Sequence, residues 1–294
     1  MVIQAAEIPG GLDVPQLKAP AGTCDTHMHV IYPEKRFPFI QGKGGVFPEH
    51  SCAAYREAAK SLGIERCVVV LPPFYDFDNR SALAAVQEVA MPARAVVNVG
   101  PDVTPEELAA LHASGARAAN FFMLPGGCLE WEALDPVAAK VNELGWHVQV
   151  QLDGRTLADH ADRLARLPTP VVIDHIGKFL GPAGLDHPGF VALLRLLDAG
   201  KTYVKLSAPY ESSTDAPPYM KDAGLRAAAL VKAAPERMLW ASNWPHLGDP
   251  DLAAKPRNAP LLDTLLAWVE DAPVREAILV ANPARLYGFD QGSV

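Results

Sequence analysis

This chain lacks the marks of nucleotide-dependent chemistry. Neither G-x-G-x-x-G nor a G-x-x-x-x-G-K-[ST] run follows any strand-like segment, which weakens an open doubly wound sheet. Its four cysteines, Cys24, Cys52, Cys67 and Cys128, show no C-x-x-C spacing. Thiols so scattered point to free residues rather than a disulfide framework or a cysteine metal site. No apolar stretch approaches the ~20 residues that span a bilayer. Met1 to Gly11 has no basic segment leading into an apolar run, so no secretory leader is expected and the cytoplasm is the expected location. Positive charge is also short. With 26 Lys and Arg against 34 Asp and Glu, the net charge of −8 leaves no basic field for nucleic acid or an anionic membrane.

What is present is apolar material in a regular order. Hydrophobic residues make up 49% of 294, enough for a large core. Brief runs, several of them β-branched, predict strands at 23–30, 66–71, 94–100, 116–122, 147–152, 171–174, 202–206 and 238–242. Amphipathic segments between them predict helices at 53–62, 81–90, 105–114, 134–144, 157–167, 190–197, 223–234 and 260–268. Thr104-Pro105-Glu106-Glu107 reads as a helix start, and Gly63 and Gly145 as residues just past helix ends. Eight strand–helix alternations predict an α/β fold, a (β/α)8 barrel. Residues 1–22 hold no sustained period and are expected as an irregular arm before a single barrel domain over 23–294.

In such a barrel, functional side chains gather where strands end. The first strand ends Asp25-Thr26-His27-Met28-His29, and a strand period of two puts Asp25, His27 and His29 on one face. An H-x-H pair alone also arises by chance; its place at a strand end is what gives it weight. The fifth strand ends Gln149-Val150-Gln151-Leu152-Asp153-Gly154-Arg155, where alternating polar residues suit a polar lumen or an exposed edge. The sixth ends Asp174-His175-Ile176-Gly177-Lys178. Lys205, between Val204 and Leu206, either points into the lumen or snorkels outward, and Tyr210-Glu211 follow it. The eighth strand leads into Asn243-Trp244-Pro245-His246.

These runs, together with Asn282-Pro283-Ala284-Arg285-Leu286-Tyr287, resemble the amidohydrolase superfamily, in particular its metal-independent lactonase branch. The resemblance spans residues 24 to 287 and implies a distorted (β/α)8 barrel. It also implies Asp at the position of Asn243, where hydrolases of the superfamily take a proton from water and metal-dependent members bind their ion. A carboxamide has no basic form near neutrality, so both roles are disfavoured here. No metal and no cofactor are expected, although His27, His29 and His175 form a set that would hold an ion loosely.

By resemblance to the pyrone dicarboxylate lactonases of the branch, Asn120 and Glu211 stand where arginines would hold substrate carboxylates. The pocket then offers Asn120, Gln149, Gln151, Asp153, Tyr210 and Glu211 to a polyhydroxylated ligand. Lys178 and Arg155 are left to pair with a single carboxylate. Trp244 and His246 complete the expected binding set. The implied reaction is isomerisation of a hexaric acid 1,5-lactone, of the D-galactarolactone type, to its 1,4-lactone. The substrate's own hydroxyl attacks, and His27, His29 or His175 moves the proton. Lys205 and a remaining histidine would steady the oxyanion, and Asn243 would hold the reacting hydroxyl or the carbonyl.

The expected partner is a small sugar-acid lactone; oligomeric state is not legible. Three rivals stay open. One is a sugar-acid lactonase using a histidine or Asp153 as base. Another is a decarboxylase, which would want a metal and an intact Asp. The third is a barrel that binds sugar acids without turnover.

Overall fold

The eight predicted strands form one parallel sheet in sequence order, in a computed structural model that describes residues 14–40, 48–213, 220–247 and 257–289. They are β1 Cys24–Met28, β2 Arg66–Val70, β3 Ala93–Val97, β4 Ala116–Phe122, β5 His147–Gln151, β6 Val171–Ile173, β7 Thr202–Leu206 and β8 Met238–Trp240. The helices that follow them are α1 Cys52–Leu62, α2 Arg80–Glu88, α3 Pro105–Ala113, α4 Leu134–Asn142, α5 Leu157–Arg166, α6 Pro188–Asp198, α7 Lys221–Ala233 and α8 Asn258–Trp268. The strands are covered on both faces, which is why β2, β6 and β8 read as nearly continuous apolar runs. Local signals fix the helix ends as expected. Thr104 forms a capping box with Glu107, and Gly63 ends α1 at φ 73°.

The sheet closes into a barrel through polar contacts rather than a full ladder between β8 and β1. The Asn243 N–H donates to the His27 carbonyl and the His29 N–H to the Trp244 carbonyl, each at 2.9 Å. Asp25 braces the same seam. It accepts from the Ser242 N–H at 2.9 Å, the Ser242 hydroxyl at 2.5 Å and the Tyr55 hydroxyl of α1 at 3.1 Å.

This position corrects the expectation that Asp25 shares a face with His27 and His29. Register passes from Asp25 opposite Cys67 to Met28 opposite Val69, three residues against two. The extra residue is a β-bulge, and it reverses the alternation. Asp25 and Cys67 therefore face the helical layer, while His27 and His29 turn into the lumen.

The lumen is layered. Near the strand starts, Cys24, Val68, Val70, Val96, Ala118, Val172 and Leu239 pack together with Ala284, Tyr287 and Phe289. Those last residues come from a C-terminal segment that the sequence reading did not assign: α9 Ala272–Glu276 and α10 Asn282–Tyr287, joined by a π-helical stretch. Its short helices and Pro273 and Pro283 gave no long periodic signal. Asn282 ties α10 across the barrel end, donating to the carbonyls of Pro235 and Met238, both at 2.9 Å. Residues 1–13 of the expected arm lie outside the described residues; beyond them, the N–H groups of Gln16 and Leu17 donate to Asp263 of α8.

One polar residue interrupts the apolar floor. His147 opens β5 beside Ala118, its ring edge-on to Tyr287 at 4.9 Å. Among the described residues, neither ring nitrogen nor the Tyr287 hydroxyl has a hydrogen-bond partner. Burial drives the His147 pKa down from 6.5 to about 3. Between those values the unfolded chain binds a proton that the folded chain refuses, so this residue makes stability fall as pH drops. The His147→Phe variant is expected to keep the fold and to flatten the decline between pH 6 and 4.5 by up to ~1.4 kcal/mol per pH unit. Denaturant midpoints across that range test this; an unchanged slope would refute it.

Candidate active site

Above the apolar layer, the inward side chains become polar. Lys205 of β7, with no exposed side-chain surface, places its ammonium among three groups. It donates to Gln149 Oε1 of β5 and lies 3.1 Å from His27 Nδ1. Asp174 Oδ1, just past β6, is 3.2 Å away, and the other Asp174 oxygen accepts from Gln149 Nε2 at 2.9 Å. Of the two sequence readings of Lys205, the structure selects the lumen.

The donors set the histidine tautomers. His29 Nδ1 lies 2.8 Å from the Val70 carbonyl, which can only accept, so His29 carries its proton there. His29 Nε2 is then an acceptor for His27 Nε2–H at 3.2 Å, and His27 Nδ1 accepts from Lys205. One directed chain thus runs from Lys205 through His27 to His29. Burial, with Lys205 adding to it, drives the His27 pKa well below 6.5, and burial brings His29 to about 4. Both imidazoles are neutral at pH 7. Lys205 is itself pushed down by burial while Asp174 pulls the other way.

His175 stands 4.8 Å from His27, ring to ring. Its Nδ1 is 2.8 Å from the Ser207 hydroxyl, and burial lowers its pKa well below 6.5. The backbone that presents it is unusual: His175, Ile176, Gly177 and Lys178 all have positive φ, at 56°, 57°, 84° and 45°. For L-residues this left-handed turn costs ~1–2 kcal/mol each and must be held by its surroundings. Gly177 N–H donates to Asp174 O at 3.0 Å, and the Ser212 hydroxyl takes the His175 carbonyl at 2.8 Å.

A second cluster lies at the ends of β6, β7 and β8. The two amide protons of Asn243 go to Tyr210 Oη at 2.9 Å and Glu211 Oε1 at 3.1 Å. Tyr210 continues to His246 Nδ1 at 2.8 Å, and His246 Nε2 to Asn258 Oδ1 at 2.9 Å. Lys178 is paired with the other oxygen of Glu211. Asn243 and His246 hold positive φ, at 59° and 65°.

The remaining expected residues are spread more widely. Asn120 of β4 donates to Asn98 at 3.2 Å, and Gln151 ends β5 at 8% exposure. Trp244 packs against the rings of Tyr55 and His50 on the helical side of the seam. Asp153 and Arg155 pair with each other at 2.6 Å in the turn after β5 and are not brought into either cluster. Burial pushes the Asp153 carboxyl up, but hydrogen bonds from Arg155 outweigh it and hold the group below its usual range, which makes it a weak base.

Sequence reasoning missed Asp174, Ser207 and Asn98 as site residues. Asp174 adjoins a flagged histidine and was legible; the other two needed the register.

Other superfamily members employ a metal, and His27, Asp174 and His175 do place ligand atoms within 4.8 Å of one another. The fit fails on charge. The Lys205 ammonium already stands against two members of that set, and the lone pairs of His27 and His29 are spent in the directed chain.

An eight-stranded barrel with polar strand ends and a buried H-x-H pair defines an amidohydrolase-type enzyme fold. The chain belongs to the amidohydrolase family, whose model matches residues 24–289. It is 35% identical over 270 residues to the D-galactarolactone isomerase of Agrobacterium fabrum, covering 91% of each chain. To the 4-sulfomuconolactone hydrolase of Hydrogenophaga intermedia it is 33% identical, covering 92% of this chain and 89% of the relative. An apo crystal structure from Agrobacterium tumefaciens superposes with a TM-score of 0.87 at 34% identity, covering 94% of this chain and 99% of that one.

The buried ion pair can be tested by halves. Lys205→Met or Asp174→Asn alone leaves an uncompensated buried group and is expected to cost ~3–5 kcal/mol. The double variant should cost clearly less than the sum in equilibrium denaturation; strict additivity would show that the two are not coupled.

Proposed function

We propose that the chain isomerises a hexaric acid 1,5-lactone to the 1,4-lactone by intramolecular transesterification. The observation that carries this reading is Asn243. At the position where a hydrolase needs a base for water, this chain has a carboxamide, and both its amide protons are held by Tyr210 and Glu211. The substrate's tethered C4 hydroxyl removes the need to activate water, and well-oriented intramolecular attack reaches effective molarities of ~10⁵ M or more. Similarity to a D-galactarolactone isomerase over most of both chains supports the same substrate class.

In this mechanism the C4 oxygen bonds to C1, and the bond from C1 to O5 breaks. One proton passes from O4 to O5. His175 is the carrier: burial keeps it neutral, and in the tautomer with its proton on Nδ1 facing Ser207, its Nε2 accepts from O4 and returns the proton to O5. Lys205 acts on the tetrahedral oxyanion through its charge alone, since its protons and those of His27 and His29 are held by other partners. Gln151, Asn120 and the free Oδ1 of Asn243 take ring hydroxyls. Lys178, sharing Glu211 with Asn243, is placed for the exocyclic carboxylate. His246 shapes the β8 side, whereas Trp244, expected to bind substrate, packs in the helical layer instead.

A sugar-acid lactonase is the second reading, because the hydrolase relative matches over a similar length and the Nε2 of His175 could equally take a proton from water. Incubation of the lactone in H₂¹⁸O separates the two. The expected result is 1,4-lactone without label and little free diacid; rapid labelled diacid would establish hydrolysis, and tight binding without product would leave only a binding protein.

Asn243→Asp is expected to raise hydrolysis at least several-fold, and its failure to do so counts against the role given to Asn243. Prolonged treatment with a strong chelator should leave the rate within a factor of two. A tenfold loss restored by one divalent metal would overturn the metal-free chemistry.

A further inference from the structure

We propose that Arg226, on the outer helix α7, is a positioning residue for the imidazole of His175. Arg226 is 1% exposed, and burial lowers the pKa of its guanidinium. A mere spacer at such a place would be apolar, since burying a charge costs several kcal/mol before any pairing. What the guanidinium does instead is join two loops. It donates to the Ala183 carbonyl, in the segment after β6, at 2.6 Å, and to the Ser212 carbonyl, in the segment after β7. Asp222 of the same helix lies 3.5 Å away, too far for a strong pair.

Both loops lead to His175. The Ser212 hydroxyl donates to the His175 carbonyl at 2.8 Å, so two hydrogen bonds connect Arg226 to the backbone of the proposed proton carrier. The second path is steric. The guanidinium carbon sits 5.2 Å from the centre of the Phe179 ring. That ring is packed so closely on the left-handed turn that a Cβ on Gly177 would stand 2.8 Å from it. A Cβ on Gly154 would meet it at 2.9 Å. A turn with successive positive φ values does not persist on its own. Arg226 holds it from both sides, through Ser212 at its start and Phe179 at its end, and so aims the Nε2 of His175. Arg226 touches neither of the two polar clusters and takes no part in the chemistry.

The role of His175 rests on the reaction proposed above, so the test uses one readout that needs no turnover. The ring ¹H–¹⁵N signals of His175, identified by their loss in His175→Gln, are compared in the full chain and in Arg226→Met, Arg226→Lys, Ser212→Ala and the Met/Ala double variant. Folding is checked by a cooperative melt.

The expected result is displaced His175 signals in Arg226→Met and Ser212→Ala, and partial recovery in Arg226→Lys, which can still reach one carbonyl. With a turned-over lactone, kcat should fall ~10- to 100-fold in Arg226→Met with KM within ~3-fold, since misplacement of ~1 Å can cost that much. The double variant should be no worse than Arg226→Met alone. Unmoved His175 signals in a folded Arg226→Met, or effects that add in the double variant, would overturn the proposal. If Arg226→Met does not fold, unmoved signals in Ser212→Ala overturn it instead. Displaced signals without turnover of any lactone would uphold Arg226 and count against the proposed reaction alone.

Discussion

A wholly buried ammonium needs partners, and much of the barrel mouth is arranged to give Lys205 its own. Asp174 offers the compensating charge, Gln149 bridges the two, and His27 accepts a further hydrogen bond from the lysine. Each partner comes from a different strand, so satisfying one side chain fixes the relative positions of β1, β5, β6 and β7. The requirement explains why three histidines can be buried together without collapsing the site: none has to carry charge. The lysine also sets a positive charge against His27 and Asp174, two members of the set that could otherwise hold a metal ion.

The second constraint is conformational. Non-glycine residues with positive φ crowd at the ends of β6, β7 and β8, at His175, Ile176, Lys178, Ala208, Asn243 and His246. Such strain at a site is maintained only where the rest of the fold over-determines the backbone. Here the work is shared among Asp25 at the seam, Ser212 under His175 and the close packing of Phe179. The chemistry faces the lumen, and its supports lie one layer out.

The fold was legible because periodicity is local. All eight strands and the eight helices between them could be read from apolar spacing, and caps such as Thr104 and Gly63 needed only a few residues of context. The C-terminal α9 and α10 were not, because short proline-bearing helices leave too little period to count. Lys205, His27, His29 and His175 were found as a group since strand ends are meaningful in a barrel. Their connections were another matter. That Lys178 binds Glu211, and that Asn243 spends its protons on Tyr210 and Glu211, depend on loop paths separated by tens of residues. No spacing rule encodes those. Asp25 was misplaced for a sharper reason: strict alternation is the rule for strands, and one bulge breaks it.

That bulge gives β1 two independent occupations. In a regular strand, a side chain at position 25 would have the same parity as the histidines at 27 and 29 and would compete with them for the lumen. One inserted residue turns Asp25 toward the scaffold and leaves His27 and His29 toward the lumen, within five consecutive residues. Position 25 can therefore change the seam between first and last strands without touching the histidine pair, and the pair can vary without unfastening the barrel.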